Sequence, residues 1–136
     1  MVQLVALLLS ATLFGGMVLY SFGFAPMVFS SLPAEHAGRF IRSAFPWYYL
    51  FVIVSSGLSA ITLFFLNPWS ALLMIGIASV GIFARQVLMP LINSASDNRA
   101  KGNAAAKALF SRLHGASVGL NVIQLIAAGF VLSRFV

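Results

Sequence analysis

Apolar positions fill this chain in four long runs, set apart by three polar stretches. A helix needs about 20 residues to cross roughly 30 Å of hydrocarbon, and every run reaches that length. The pattern predicts helices near residues 4–29, 46–66, 70–93 and 108–134. The expected fold is all-α: a four-transmembrane-helix bundle, with residues 1–136 as a single transmembrane domain. The first run, MVQLVALLLSATLFGGMVLYSFGFAPMVF, lacks the charged start of a signal peptide and outlasts a signal's apolar stretch of about 7–15 residues. It reads as a retained spanning helix.

The connections differ in kind. Asn67-Pro68-Trp69 reads as a tight uncharged turn, with Trp69 as an interfacial anchor. In SLPAEHAGRFIRSAFP, Phe40, Ile41 and Phe45 alternate with Arg39 and Arg42, and Trp47 follows at the membrane edge. That alternation predicts a short amphipathic helix lying on the membrane surface between helices one and two. The third connection, SASDNRAKGNAAAK, reads as polar and mobile.

Composition supports the same picture. Hydrophobic residues make up 61% and charged residues 7% of the 136 positions, with a mean hydropathy of +1.02. Soluble domains carry roughly 25% charged residues, so lipid must be the main solvent here. The net charge of +6 does not indicate nucleic acid, because the basic residues cluster in the connections instead of interleaving with aromatics along a groove. Arg39, Arg42, Arg99, Lys101, Lys107 and Arg112 fall on one side of the predicted arrangement, against Arg134 and the amino terminus on the other. The positive-inside rule then puts both long connections in the cytoplasm and both termini outside, with a bacterial inner membrane as the expected setting. Cysteine is absent, which excludes disulfides and thiolate metal sites.

Within the third run stands Arg85, nine residues before Ser94 and so about 13 Å along the helix. Arginine at such a depth is costly and is expected to face the bundle interior. Gln86 and Asn93 share its flank, and Pro90 removes the N–H that would have bonded the Gln86 carbonyl. On the fourth helix His114, Ser117, Asn121 and Gln124 recur at helical spacing on one face. The counted depth of Ser117 matches Arg85, as does that of Ser55, Ser56, Tyr20 and Ser21. The expectation is a polar layer in which Arg85 bonds Asn121, Ser117 or freed carbonyls rather than a carboxylate. These groups serve either as interhelical hydrogen-bond glue or as a binding layer, and the pattern alone leaves both open. Gly15, Gly16, Gly115 and Gly119 are candidate close-packing points between helices. No catalytic signature or metal-ligand set occurs, so no enzyme and no metal site are expected.

The stretches FGFAPMVFSSLPAEHAGRFIRSAFPWYY, RQVLMPLIN and FSRLHGASVGLN resemble, in order, the transmembrane protein 205-like family of small four-helix membrane proteins. The family's polar signature falls on Arg85, Pro90, Asn93, His114, Ser117 and Asn121. Its layout is similar to copper-resistance D-type proteins and to four-helix protoporphyrinogen oxidases that bind haem. An acidic residue often precedes the last helix in such proteins, whereas Asp97 lies farther back, so no Arg–acid pair is expected across helices three and four.

Three readings follow. The first is a non-enzymatic membrane protein binding or passing a small solute or metal complex through the polar layer, without a cofactor. The second is an accessory subunit packing against other membrane subunits or against itself. The third is a haem- or porphyrin-linked redox protein with His114 as axial ligand. The lipid bilayer is a partner in all three, and nucleic acid in none.

Overall fold

The computed structural model describes residues 1–136 and consists of four long helices with no strand. They are α1 (Val2–Ser31), α2 (Ala34–Phe64), α3 (Pro68–Ala100) and α4 (Ala104–Ser133), each apolar enough to cross a membrane. Each packs on its neighbours in sequence, and α1 also packs on α4, which closes an up-down-up-down ring. This is a helical bundle of a membrane protein.

The helices have 30, 31, 33 and 30 residues. At 1.5 Å per residue that is about 45–50 Å, well beyond the roughly 30 Å of hydrocarbon. At the basic end two sequence expectations need correction. Residues 34–45 are helical as expected, but they do not form a separate surface helix. They are the first turns of α2, which continues through Pro46. The lost Pro46 hydrogen bond is offset by packing: Ala37 and Ile41 are buried against Val28 of α1. The Glu35–Arg39 pair, one turn apart, adds local support. The third connection is not a mobile loop either, because α3 continues to Ala100 and only Lys101–Asn103 turns the chain.

Each turn has a local cause. Leu32 is extended, as a residue before proline prefers, and Pro33 then starts α2. The Asn67 side chain accepts from the Ser70 N–H at 3.1 Å, with Pro68 at the first position of α3. Gly102 has φ +86°, a left-handed conformation suited to glycine, and Asn103 caps α4 by accepting from Ala105 and Ala106.

Packing is dense in the half of the bundle away from the basic end. Leu13 and Met17 of α1, Val52 and Leu63 of α2, Met74 of α3 and Val131 of α4 are almost completely buried there. Gly16 makes room for the Phe51 ring, Gly81 for Ile53 at 3.0 Å and Gly129 for Phe14 at 3.1 Å, as measured from a Cβ built on each glycine. Gly16 is thus a close-packing point. Gly15, Gly115 and Gly119 are not within this chain, because open space surrounds each of them on the outer helix surfaces.

Polar ties complete the ring. Asn121 of α4 accepts a short hydrogen bond from the Tyr48 hydroxyl of α2 and donates to Ser21 of α1 at 2.9 Å. One turn on, Gln124 donates to the Ile77 carbonyl of α3 at 2.9 Å. Two side chains therefore bind α4 to all three other helices.

Two stability outcomes follow. Gly16→Ile should cost about 1–3 kcal/mol by overpacking, and Gly115→Ile should cost little. Gly16→Ile with Phe51→Ala should lose less than the sum of the single losses in detergent thermal unfolding; strict additivity would exclude the contact. Asn121→Leu removes both ties of α4 to Tyr48 and Ser21 and should cost about 1–3 kcal/mol. An unchanged melting point would show that these bonds do not hold the bundle.

Candidate functional site

A cavity of about 610 Å³ opens between the basic ends of α2, α3 and α4. It lies above the main core, which reaches its floor at Tyr49 and Met89, and beside the small Val28–Ala37–Ile41 cluster. On α2, Arg39, Arg42, Phe45 and Tyr49 recur at helical spacing and line one wall. On α3 the wall is Met89, Ile92, Asn93, Ser96 and Arg99, and on α4 it is Phe110, His114 and Ser117. The rim carries Arg39, Arg42 and Arg99 with one carboxylate, Glu35, the walls are mostly apolar, and Tyr49, Met89 and Ser117 lie deepest.

The three rim arginines are held in different ways. Arg39 bonds Glu35 at 2.6 Å, and both side chains remain exposed. Arg42 grips Asp97 with two bonds of 2.6 and 3.1 Å, joining α2 to α3. Both side chains of this pair are about half exposed at the basic end of the bundle. Arg99 lies over the Phe110 ring at 4.1 Å, and His114 stacks on the same ring with centroids 5.7 Å apart. The chain's only two acids are thus engaged by two of the three arginines. Arg99 has an aromatic face but no carboxylate. The mouth retains positive charge, reinforced by Lys101, Lys107 and Arg112 on the same end.

The polar layer expected from the sequence divides in this structure. His114, Ser117 and Asn93 line the cavity, together with Arg39 and Arg42. Ser117 Oγ donates to the His114 carbonyl of its own helix at 2.8 Å. Asn121 and Gln124 lie below the cavity and are occupied as interhelical ties. Gln86 is exposed on the outer face of α3 and joins none of them. Trp47 and Trp69 are exposed on the outside of the bundle, toward its basic and opposite ends respectively.

Arg85 requires a correction. It is half-buried, but it makes no hydrogen bond to Asn121, Ser117 or a backbone carbonyl. Asn121 is already satisfied by Tyr48 and Ser21, and Ser117 by its own helix. The Arg85 Nε is fully buried without a partner. Its segment, Ala84–Leu88, is a π-helical turn in which the Met89 N–H reaches back to the Ala84 carbonyl. The bond that Pro90 removes is absorbed by this widened turn rather than by the arginine.

Several lining residues were not singled out from the sequence. Arg99 and Phe110 meet only because the connection between α3 and α4 is so short. Tyr49 and Phe45 join the Arg42 face only when α2 runs unbroken through Pro46. The signal available was the Arg42-Phe45-Tyr49 spacing, masked by reading the proline as a boundary. Histidines and carboxylates nowhere gather in threes, so no metal-ligand cluster is present.

A family model described as a domain of unknown function, DUF4149, matches residues 8–101. The match takes in α1 from its second turn, all of α2 and all of α3, with the Arg39, Arg42 and Arg99 rim; α4 follows it. No curated protein matches the chain, and no solved structure does. With more than two thirds of its length matched, the chain belongs to the DUF4149 family of unknown function.

Proposed function

We propose that this integral membrane protein binds a small amphiphilic anion, a phosphate- or carboxylate-bearing molecule with a short apolar body, in the cavity at its basic end. The observation that carries this reading is the composition of the cavity: three arginines against a single carboxylate, Glu35, at the rim above walls of Phe29, Phe45, Met89 and Ile92. A guanidinium fork suits phosphate or carboxylate oxygens, and the apolar walls suit the rest of such a molecule. Binding fits better than passage, since Asn121, Gln124 and the dense core lie directly below the cavity. The reading needs no enzymatic step and retains the likeness to transmembrane protein 205-like proteins.

Charge supports a cytoplasmic position for the cavity in a bacterial inner membrane, with both termini on the opposite side. The natural chain has no cysteine, which makes single-cysteine labelling clean. A cysteine at Asn103 should be labelled only from the cytoplasm, and one at Val136 only from outside. The reverse pattern would overturn the orientation.

The binding test uses octyl phosphate titrated calorimetrically into the protein in phosphatidylcholine nanodiscs. Saturable binding is expected, and neutral octyl glucoside should not compete. Arg42→Gln with Arg99→Gln should weaken binding about tenfold or more. Equal binding of the neutral compound, or no saturable binding, would refute the reading.

A further inference from the structure

Two features below the cavity have no role in the proposed binding site. The first is a matched pair of helix irregularities. α1 widens into a π-helical turn over Leu19–Phe24 and α3 over Ala84–Leu88. In each helix a proline, Pro26 or Pro90, stands two residues past the turn. Ser21 and Arg85 each lie five residues before their proline. α1 and α3 run in the same direction on opposite sides of the ring, so the interruptions correspond in the two halves of the chain. Such turns weaken a helix, and paired proline-interrupted helices at corresponding positions mark ligand sites in membrane bundles.

The second feature is two buried donors without acceptors. The Tyr20 hydroxyl sits on the first widened turn and the Arg85 Nε on the second, and both are fully buried and unbonded. Ser10 and Ser59 are also unbonded, but a serine hydroxyl can rotate onto a carbonyl one turn back in its own helix. The Tyr20 phenol has no such local acceptor, and of the half-buried Arg85 it is the Nε that stands buried and unbonded. An unsatisfied buried donor costs about 1–3 kcal/mol, so each of the two is a group that a bound acceptor would stabilise.

Both donors lie one side-chain layer under the cavity. Arg85 stands four residues deeper on α3 than Met89, which lines the cavity. Tyr20 stacks on Tyr48 with centroids 4.1 Å apart, and Tyr48 touches Tyr49, another lining residue, at 5.5 Å. Gln124 pairs with Ile77; eight residues along α3 from Ile77 is Arg85, and eight back along α4 from Gln124 is Ala116, beside the lining residue Ser117.

Resting on the proposed anion cavity, we infer that a second, deeper anion subsite lies beneath its floor, where Arg85 and Tyr20 donate to the phosphate or carboxylate oxygens of the ligand. Met89 and Tyr49 are the layer that moves aside, and methionine adapts readily to such a change. The rim arginines then act as a funnel that concentrates the anion, and Arg85 as the group that holds it. The ligand must be anionic because arginine only donates, while both carboxylates of the chain are engaged at the rim.

The test is octyl phosphate binding to the full chain in phosphatidylcholine nanodiscs, read by calorimetry and by stopped-flow dissociation. Arg85→Gln should weaken binding at least tenfold, mainly through faster dissociation. Tyr20→Phe, which keeps the ring and its stack, should weaken it severalfold in the same way. Arg42→Gln should instead slow association and flatten its salt dependence. If wild-type protein does not bind, the cavity reading itself falls, and the subsite with it. If wild type binds and the rim variants lose affinity, while Tyr20→Phe or a folded Arg85→Gln binds like wild type, the deep subsite is overturned and the cavity stands. Should Arg85→Gln fail to insert, Tyr20→Phe decides alone.

Discussion

Hydrocarbon offers no hydrogen-bond partners, so every polar group below the headgroups has to find one inside the protein. The rest of the architecture depends on how the chain meets that constraint. α4 meets most of it: Asn121 satisfies a tyrosine and a serine on two other helices, and Gln124 finds a carbonyl on the third. Serines elsewhere turn back onto their own helices, as Ser56 does to the Val52 carbonyl at 2.6 Å. Four buried polar atoms lack a partner, and two of them are the rotatable hydroxyls of Ser10 and Ser59. The other two belong to Tyr20 and Arg85, and they fall together at the two widened turns.

The same constraint explains why the bundle is dense at one end and hollow at the other. Away from the charged end the helices carry mostly apolar and small residues, and close approach at Gly16, Gly81 and Gly129 gains dispersion contacts. Toward the charged end the helices emerge from hydrocarbon and their arginines are hydrated. There Arg42 and Asp97, together with Arg99 on Phe110, hold the helices at arm's length through long side chains. Long side chains spanning between helices leave space between backbones, and that space is the cavity.

Much of this was legible in the sequence. Four apolar runs gave four spanning helices, and the stripe from His114 to Gln124 gave the inward face of α4, because helical periodicity reports burial directly. The helix ends were less legible. Pro46 and the run of polar residues after Asn93 resemble boundaries, yet Ala37 and Ile41 packing on Val28 carry α2 across the proline, and Asn103 with Gly102 confines the turn to three residues. Those are tertiary effects that local pattern does not encode. For the same reason Asp97 found a partner on α2, a helix 55 residues earlier, where spacing on α3 and α4 gave no hint of one. The glycine pattern misled in the other direction: GxxxG at Gly115 and Gly119 lies on an outer surface, while the isolated Gly129 makes the contact.

The position of the polar ties on α4 bears on the order of assembly. Chains emerge amino terminus first, so α1, α2 and α3 enter the membrane before the helix that fastens them. Until then the Tyr48 hydroxyl and Ser21 have no Asn121, and the ring lacks its closing wall. Meanwhile the first three helices rest on their own packing, including the Gly16–Phe51 and Gly81–Ile53 contacts, and on the Arg42–Asp97 clasp. The last 30-residue helix acts as the bolt of the structure, converting those three into one body when it slides in beside α1 and α3.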